Sequence, residues 1–293
     1  MKSTLTITFF LCFALMGFGQ TTLSYHLEKG EVFTILQKAH QVITQHMEGT
    51  EHEITNDIEG VLEFKVLGQK EGHYEIALTF KDLNMKMTSS LQGEMMNVRA
   101  KEVEEGDMQS RIFNSLLNSP VQITLAKTGD ILSVMGGDSL VAKMARASGL
   151  TDEYALNLMK KSLGDEFGSE AMANSYEQLT FIYPNRTIKV GDIWENNYGG
   201  KLSAKNQWIL NGIDASQAEI GGTARVDMDV TEPGTTMKLE GSQVTEITTD
   251  LKTGFIEMMK VEGRLEGTGT VVQLGAQKIP TEIRTSITYQ LIK

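Results

Sequence analysis

The residues best suited to chemistry are five histidines, His26, His40, His46, His52 and His73. His40 and His46 differ by an even number, so a strand would carry both on the side of Thr34, Lys38 and Thr44. Six residues of strand hold them about 20 Å apart, whereas zinc needs three or four ligands converging on one point. They read as histidines of a solvated face, and no metal is expected. Asp227 and Asp229 flank Met228, with Glu232 just beyond. Calcium favours clustered carboxylates, but an EF-hand loop needs a longer spacing and a central glycine. A wet strand face accounts for the trio. The run Glu102, Glu104, Glu105, Asp107 reads alike, with Asp107 placed to cap a helix. Nucleophile elbows, His-Glu-X-X-His and Walker loops are missing, and Gly267-Thr268-Gly269 lacks the third glycine of a dinucleotide fingerprint. The sequence discloses no reaction, so a non-enzymatic protein without a cofactor is expected.

Methionine is the other chemically distinctive residue, with 16 in 293 positions. Met85-Lys86-Met87 is the only Met-X-Met, which is thin support for a Cu(I) thioether site. Methionine fills irregular gaps where helices cover a sheet, and it also lines cavities that accept varied apolar ligands. On the second reading the lining consists of Leu83, Met85 and Met87 on a strand, with Met144, Leu158 and Met159 on helices. The charge balance, 27 Lys+Arg against 38 Asp+Glu, argues against nucleic acid, whose phosphates are met by basic patches. Asp138-Ser139-Leu140 has two readings. It resembles an acceptor for O-glycosylation at Ser139 in exported Bacteroidota proteins, and it also suits a helix N-cap.

The elements that would position these residues begin after residue 19. Lys2, the uncharged apolar stretch Leu5–Met16 and small residues at Gly17 and Gly19 form a signal peptide, with cleavage between Gly19 and Gln20. Cys12 follows Leu11 where a lipobox wants a small residue, so it leaves with the peptide and the product is not lipidated. No later run is long enough for a transmembrane helix. The expectation is a soluble exported protein, periplasmic or secreted.

From Gln20 the pattern is two β-rich stretches, 20–137 and 180–293, around a helical insert at 138–179. Ile283, Ile287, Tyr289 and Leu291 alternate with Glu282, Arg284, Ser286, Thr288 and Gln290. Met259, Val261 and Leu265 alternate with Lys260, Glu262 and Arg264. Leu62, Phe64 and Val66, and then Tyr74, Ile76, Leu78 and Phe80, do the same. Period-two alternation means antiparallel strands that are dry on one side. Short turns at Gly68–Gly72, Lys127–Asp130 and Lys252–Gly254 make a meander. In the insert, Asp138 or Ser139 would cap Leu140–Ser148, Thr151 a second helix ending at Gly164, and a third would run from Asp165 to Gln178. A shorter helix is expected over Asp107–Asn118. The fold class is mainly β: a curved, open-barrel-like antiparallel meander with the insert packed on its apolar concave side, as one sheet or as two smaller modules.

Weak internal symmetry relates the halves. Lys29-Gly30-Glu31-Val32-Phe33 resembles Val190-Gly191-Asp192-Ile193-Trp194, and Lys127-Thr128-Gly129 matches Lys252-Thr253-Gly254. With the export signal, the strand Gln41-Val42-Ile43-Thr44-Gln45 and the strand pair through Tyr74–Met87, these entries resemble a family of exported Bacteroidota proteins, domain of unknown function 6263. That resemblance implies no activity and transfers no functional residue. In outline the open sheet is also similar to periplasmic lipoprotein carriers. Two functions are expected from these features: a non-catalytic module holding an apolar ligand such as a lipid between sheet and helices, or a structural or protein-interaction module of the envelope with a filled core.

Overall fold

The computed structural model describes residues 20–47, 49–232, 234–271 and 277–292. The expected signal peptide, with Cys12 and Gly19, lies outside the described residues, and Gln20 is the first within them. The alternating segments form strands β1 (Val32–Met47), β2 (Thr50–Lys70), β3 (His73–Ser89), β4 (Gly93–Arg99), β5 (Val121–Leu125) and β6 (Ile131–Met135) in the first half. The second half supplies β7 (Ile193–Tyr198), β8 (Leu202–Ile213), β9 (Gln217–Glu232), β10 (Thr235–Asp250), β11 (Ile256–Val271) and β12 (Lys278–Ile292). Helix α1 (Met108–Leu116) sits between β4 and β5, and α2 (Gly137–Ala147), α3 (Glu153–Phe167) and α4 (Ser169–Thr180) make the insert.

Among the described residues all twelve strands join one antiparallel sheet in the order β6-β5-β3-β2-β1-β12-β11-β10-β9-β8-β7, with β4 beside β3. Every neighbour pair is antiparallel, which short turns permit and parallel strands do not. The first strand pairs with the last, Ala39 opposite Ile287 and Ile43 opposite Ile283. The two halves are therefore parts of one continuous sheet, and the path leaves its edges β6 and β7 unjoined. Both edge strands are short, which limits the unpaired backbone they present.

The insert leaves from edge β6 and returns at edge β7, and α4 touches both. It packs on the inner side, as expected. Leu140 and Met144 of α2 and Met172 and Leu179 of α4 share one core with Ile35, Leu62, Leu78 and Phe80 of the sheet. Tyr176 of α4 lies edge-on to Phe64 and Phe80, at 6.4 Å from each, and Phe167 of α3 meets Phe80 at 6.1 Å. Such edge-to-face pairs add to the burial that holds helices on sheet.

The helix boundaries correct the sequence reading in three places. Asp107 caps α1 as expected, its Oδ1 accepting from the Ser110 N–H at 2.9 Å. At α2, however, the cap is Gly136, with no side-chain hydrogen bond, so neither Asp138 nor Ser139 serves. At α3 the cap is Asp152, one residue past Thr151, accepting from the Ala155 N–H. That helix also runs through Gly164 and breaks only at Gly168. Glycine inside a helix costs about 1 kcal/mol, and packing of Leu163 and Phe167 on the core outweighs it.

The repeated motifs meet at the insert end of the sheet. Gly30 and Gly191 each precede a first strand and donate to the second, to Val66 O and Leu210 O. The Lys-Thr-Gly turns lie side by side around Tyr25 and Tyr183, whose rings are 5.3 Å apart. Tyr25 N–H donates to Lys127 O, His26 N–H to Thr253 O, and the Tyr183 hydroxyl to Gly254 O. Glycine is needed at both turns. Gly129 has φ +95° and a Cβ there would stand 1.7 Å from Thr180 O, while at Gly254, with φ +68°, it would stand 2.2 Å from Ser24 O.

Candidate ligand-binding site

The helices are short and the strands are long. The 12 residues of α4 span about 18 Å, whereas the 16 of β1 span about 53 Å. The insert therefore covers one end of the inner face and leaves the rest. Register shows what the remainder carries.

Nearest the helices, Ile35, Leu62 and Phe80 stand in one row and are sealed. Two rows further, Met85, Ile58, Ala39, Ile287 and Val261 lie side by side across β3, β2, β1, β12 and β11. All five are apolar and all five are only half-buried. The next row, at the same strand spacing, starts with Met87 on β3 and then turns polar: Asn56, Gln41, Thr285 and Gln243, with Gly263 between the last two. Beyond it Ile54, Ile43, Ile283 and Leu265 restore an apolar band, and Ile283 and Leu265 join a second buried cluster with Val226 and Leu239. The inner wall is thus a partly accessible apolar surface, with Met85, Ile58, Ile287 and Val261 packed at the edge of the first core.

Tyrosines mark the boundary with the insert. Tyr289 of β12, which is buried, and the half-buried Tyr176 of α4 and Tyr198 of β7 are near neighbours. Burial is the main cause that pushes all three phenols up, with Tyr289 adding to the effect on Tyr176 and Tyr198 to that on Tyr289. Tyr198 is pushed up to about 12, against a hydrogen bond with Asn206 that opposes the rise and Glu177 that adds to it. All three stay protonated hydroxyls at any physiological pH. Glu177 of α4 is pushed up to about 7, first by burial, then by a hydrogen bond to Asp130 and by the charge of Asp130. Asp130 belongs to the β5–β6 turn and Tyr198 to β7, so Glu177 stands where the insert bridges both sheet edges.

The outer face has the opposite character. Lys38 pairs with Glu59 at 3.1 Å, Arg225 with Glu240 at 3.0 Å and Lys238 with Asp229 at 3.1 Å. Exposed pairs of this kind contribute little to stability. A groove of about 460 Å³ runs along the charged outer residues Lys38, His40, Asp57 and Lys86, and its lining also includes Ala39, Ile58 and Met85.

The histidines do not gather. His40 Nδ1 faces Asp57 Oδ1 at 2.7 Å and His46 faces Glu51 at 3.7 Å on the outer face, while His52 is on the inner one. Among the described residues no three His, Cys, Asp or Glu side chains come together as a metal site. Asp227 and Asp229 lie on the wet face as read, and the Glu232 side chain lies outside the described residues.

Of the six proposed lining residues, Met85 and Met87 face the half-buried wall. Leu83 and Met144 are sealed in the core, and Met159 packs against it. Leu158 is 51% exposed. It precedes Met159 by one residue, about 100° round the helix, so with Met159 turned inward it faces out beside Tyr154. The helix–sheet interface is filled by side chains, and the accessible apolar wall begins past it. Ala39, Ile58, Val261 and Ile287 were the residues missed. Alternation showed the face of Val261 and Ile287, but only the register shows that Ala39 and Ile58 lie beside them. Ser139 is exposed on α2 and caps nothing.

The sequence has no match among curated proteins. Among solved structures the chain is similar to one described as lipid–protein interactions in lipovitellin, with a TM-score of 0.53 and 11% identity over 92% of this chain. The match spans about a quarter (26%) of the lipovitellin chain. At that identity the likeness is one of fold. Two further structures are an outer membrane channel of Pseudomonas putida F1, with 9% identity, 92% and 97% of the two chains covered and a TM-score of 0.26, and the translocator domain of the autotransporter NalP of Neisseria meningitidis, with 9%, 90% and 89%, and 0.22. The model of a family of unknown function, DUF6263, matches residues 71–256, more than half of the sequence, and the chain belongs to that family.

Proposed function

We propose that the protein is an exported, non-catalytic module of the cell envelope that holds an apolar molecule, such as a lipid chain, against the inner wall of its sheet. The observation that carries this reading is the row Met85, Ile58, Ala39, Ile287 and Val261, apolar and half-buried beside a sealed core. Leaving that much apolar surface accessible forgoes about 25 cal/mol for each Å² that a partner would cover. The site moves from the helix–sheet interface to the wall just past it, because side chains fill the interface. The fold likeness to lipovitellin, described for its lipid–protein interactions, supports the same class of ligand. The outer face, with its ion pairs, suits water; a barrel wall facing lipid carries an apolar band there.

A second reading rests on α3, which has no fully buried residue and exposes Tyr154 (74%) and Leu158 (51%) one turn apart. An envelope protein docking there would make the chain an interaction module with no ligand. Native mass spectrometry of the protein purified from an envelope fraction, followed by solvent extraction, separates the two. A stoichiometric lipid adduct supports the carrier. Bare protein that stays bare after incubation with envelope lipids favours the interaction module.

A further inference from the structure

The polar row is what an apolar wall does not need. Asn56, Gln41, Thr285 and Gln243 come from four strands and from positions up to 244 residues apart in number, yet the register sets them on one line across the inner face, with Gly263 between Thr285 and Gln243. A Cβ on Gly263 would stand 3.1 Å from Gln243 Cγ and 3.5 Å from its Nε2, so the Gln243 amide lies across that glycine. The row is flanked by Ala39, Ile58 and Ile287 on one side and Ile43, Ile54 and Ile283 on the other. Asn56 Oδ1 is buried without a hydrogen-bond partner among the described residues. An unmet buried acceptor costs about 1–3 kcal/mol, and buried polar atoms are otherwise almost always paired.

We infer that the ligand is an uncharged amphiphile, an acyl chain with a hydroxyl- or amide-bearing head, whose head is hydrogen-bonded by the neighbouring amides Asn56 and Gln41 while its chain lies along the apolar rows. This rests on the proposed function and narrows it to a ligand class. Three features lead there. Asparagine and glutamine present donors and acceptors together, so a head that both gives and takes hydrogen bonds is matched. The free Asn56 oxygen asks for a donor, which a hydroxyl or amide N–H supplies and a simple ester does not. The row itself contains no cation, and a carboxylate or phosphate brought to it would lose hydration without a counter-charge.

The test is a set of dissociation constants at pH 8 for three probes sharing one chain: 1-monomyristoylglycerol, myristate and methyl myristate. Displacement of a fluorescent acyl probe reads all three. The monoacylglycerol is expected to bind at least tenfold more tightly than either of the others. Asn56→Leu, with Gln41→Leu as a second variant should the first fold poorly, removes that preference and keeps binding of the methyl ester. Equal affinity for the three probes, tighter binding of myristate, or a preference untouched by both variants overturns the inference and leaves an unselective apolar site. Binding of none of the three removes the proposed function and this inference with it.

Discussion

Replacing Glu177 by Gln tests how the insert is held to the sheet. Glu177 is pushed up to about 7 from an ordinary 4.5, by burial first and then by its hydrogen bond to Asp130 and the charge of Asp130. An acid whose pKa is higher in the folded than in the unfolded chain keeps a proton that the unfolded chain has released. Folding therefore binds protons between about pH 4.5 and pH 7, and stability declines as pH rises through that window. Taken at face value the displacement is worth about 3 kcal/mol. The residue is only half-buried, and solvent screening reduces this to about 1 kcal/mol. Glutamine keeps a donor toward Asp130 at every pH and cannot ionise. Urea denaturation of both proteins at pH 4.5, 6 and 8 isolates the effect, because other titrating groups cancel in the difference. The variant should gain about 1 kcal/mol on the native protein between pH 4.5 and pH 8. A difference that stays constant across that range would refute the shared proton between α4 and the β5–β6 turn.

Three further substitutions probe the scaffold. Met144→Ala empties a fully buried position of α2 against the sheet and should cost about 2–4 kcal/mol in denaturant unfolding. Gly254→Ala puts a side chain at φ +68° and 2.2 Å from Ser24 O, so thermal unfolding should show a loss of about 2–4 kcal/mol. Asp107→Ala removes the cap of α1 and should cost about 1 kcal/mol, with the far-ultraviolet spectrum nearly unchanged.

Much of the fold was legible from residue order alone. Period two in Leu62-Phe64-Val66 and in Ile283-Ile287-Tyr289 gave the faces correctly, because a half-buried strand imposes that alternation whatever its neighbours. The Lys-Thr-Gly turns were legible for the same local reason. Helix ends were less so. Gly164 has the propensity of a stop, but tertiary packing of Leu163 and Phe167 carries the helix past it. The pairing of β1 with β12 joins residues some 250 positions apart, and nothing local encodes it. The candidate site depends on that pairing. Ala39, Ile58 and Ile287, and Gln41, Asn56 and Gln243, look like scattered members of separate strands until the register lines them up. Methionine pointed to the right strand through Met85 and Met87 and to the wrong helix face through Leu158, since abundance alone does not say which way a helix turns.

The most direct test of the inner wall uses the chain's lone cysteine, Cys12, which precedes Gln20. Protein produced from Gln20 onward has no thiol, so Ile58→Cys and Lys38→Cys each report one place, the inner wall and the outer face. Both are reacted with a maleimide in delipidated protein, with and without a monoacylglycerol. The expected result is that both thiols react in its absence and that the amphiphile protects Ile58→Cys at least tenfold while leaving Lys38→Cys unchanged. An Ile58→Cys thiol that never reacts, or one that reacts equally fast with the amphiphile present, would contradict an apolar ligand seated on the inner wall.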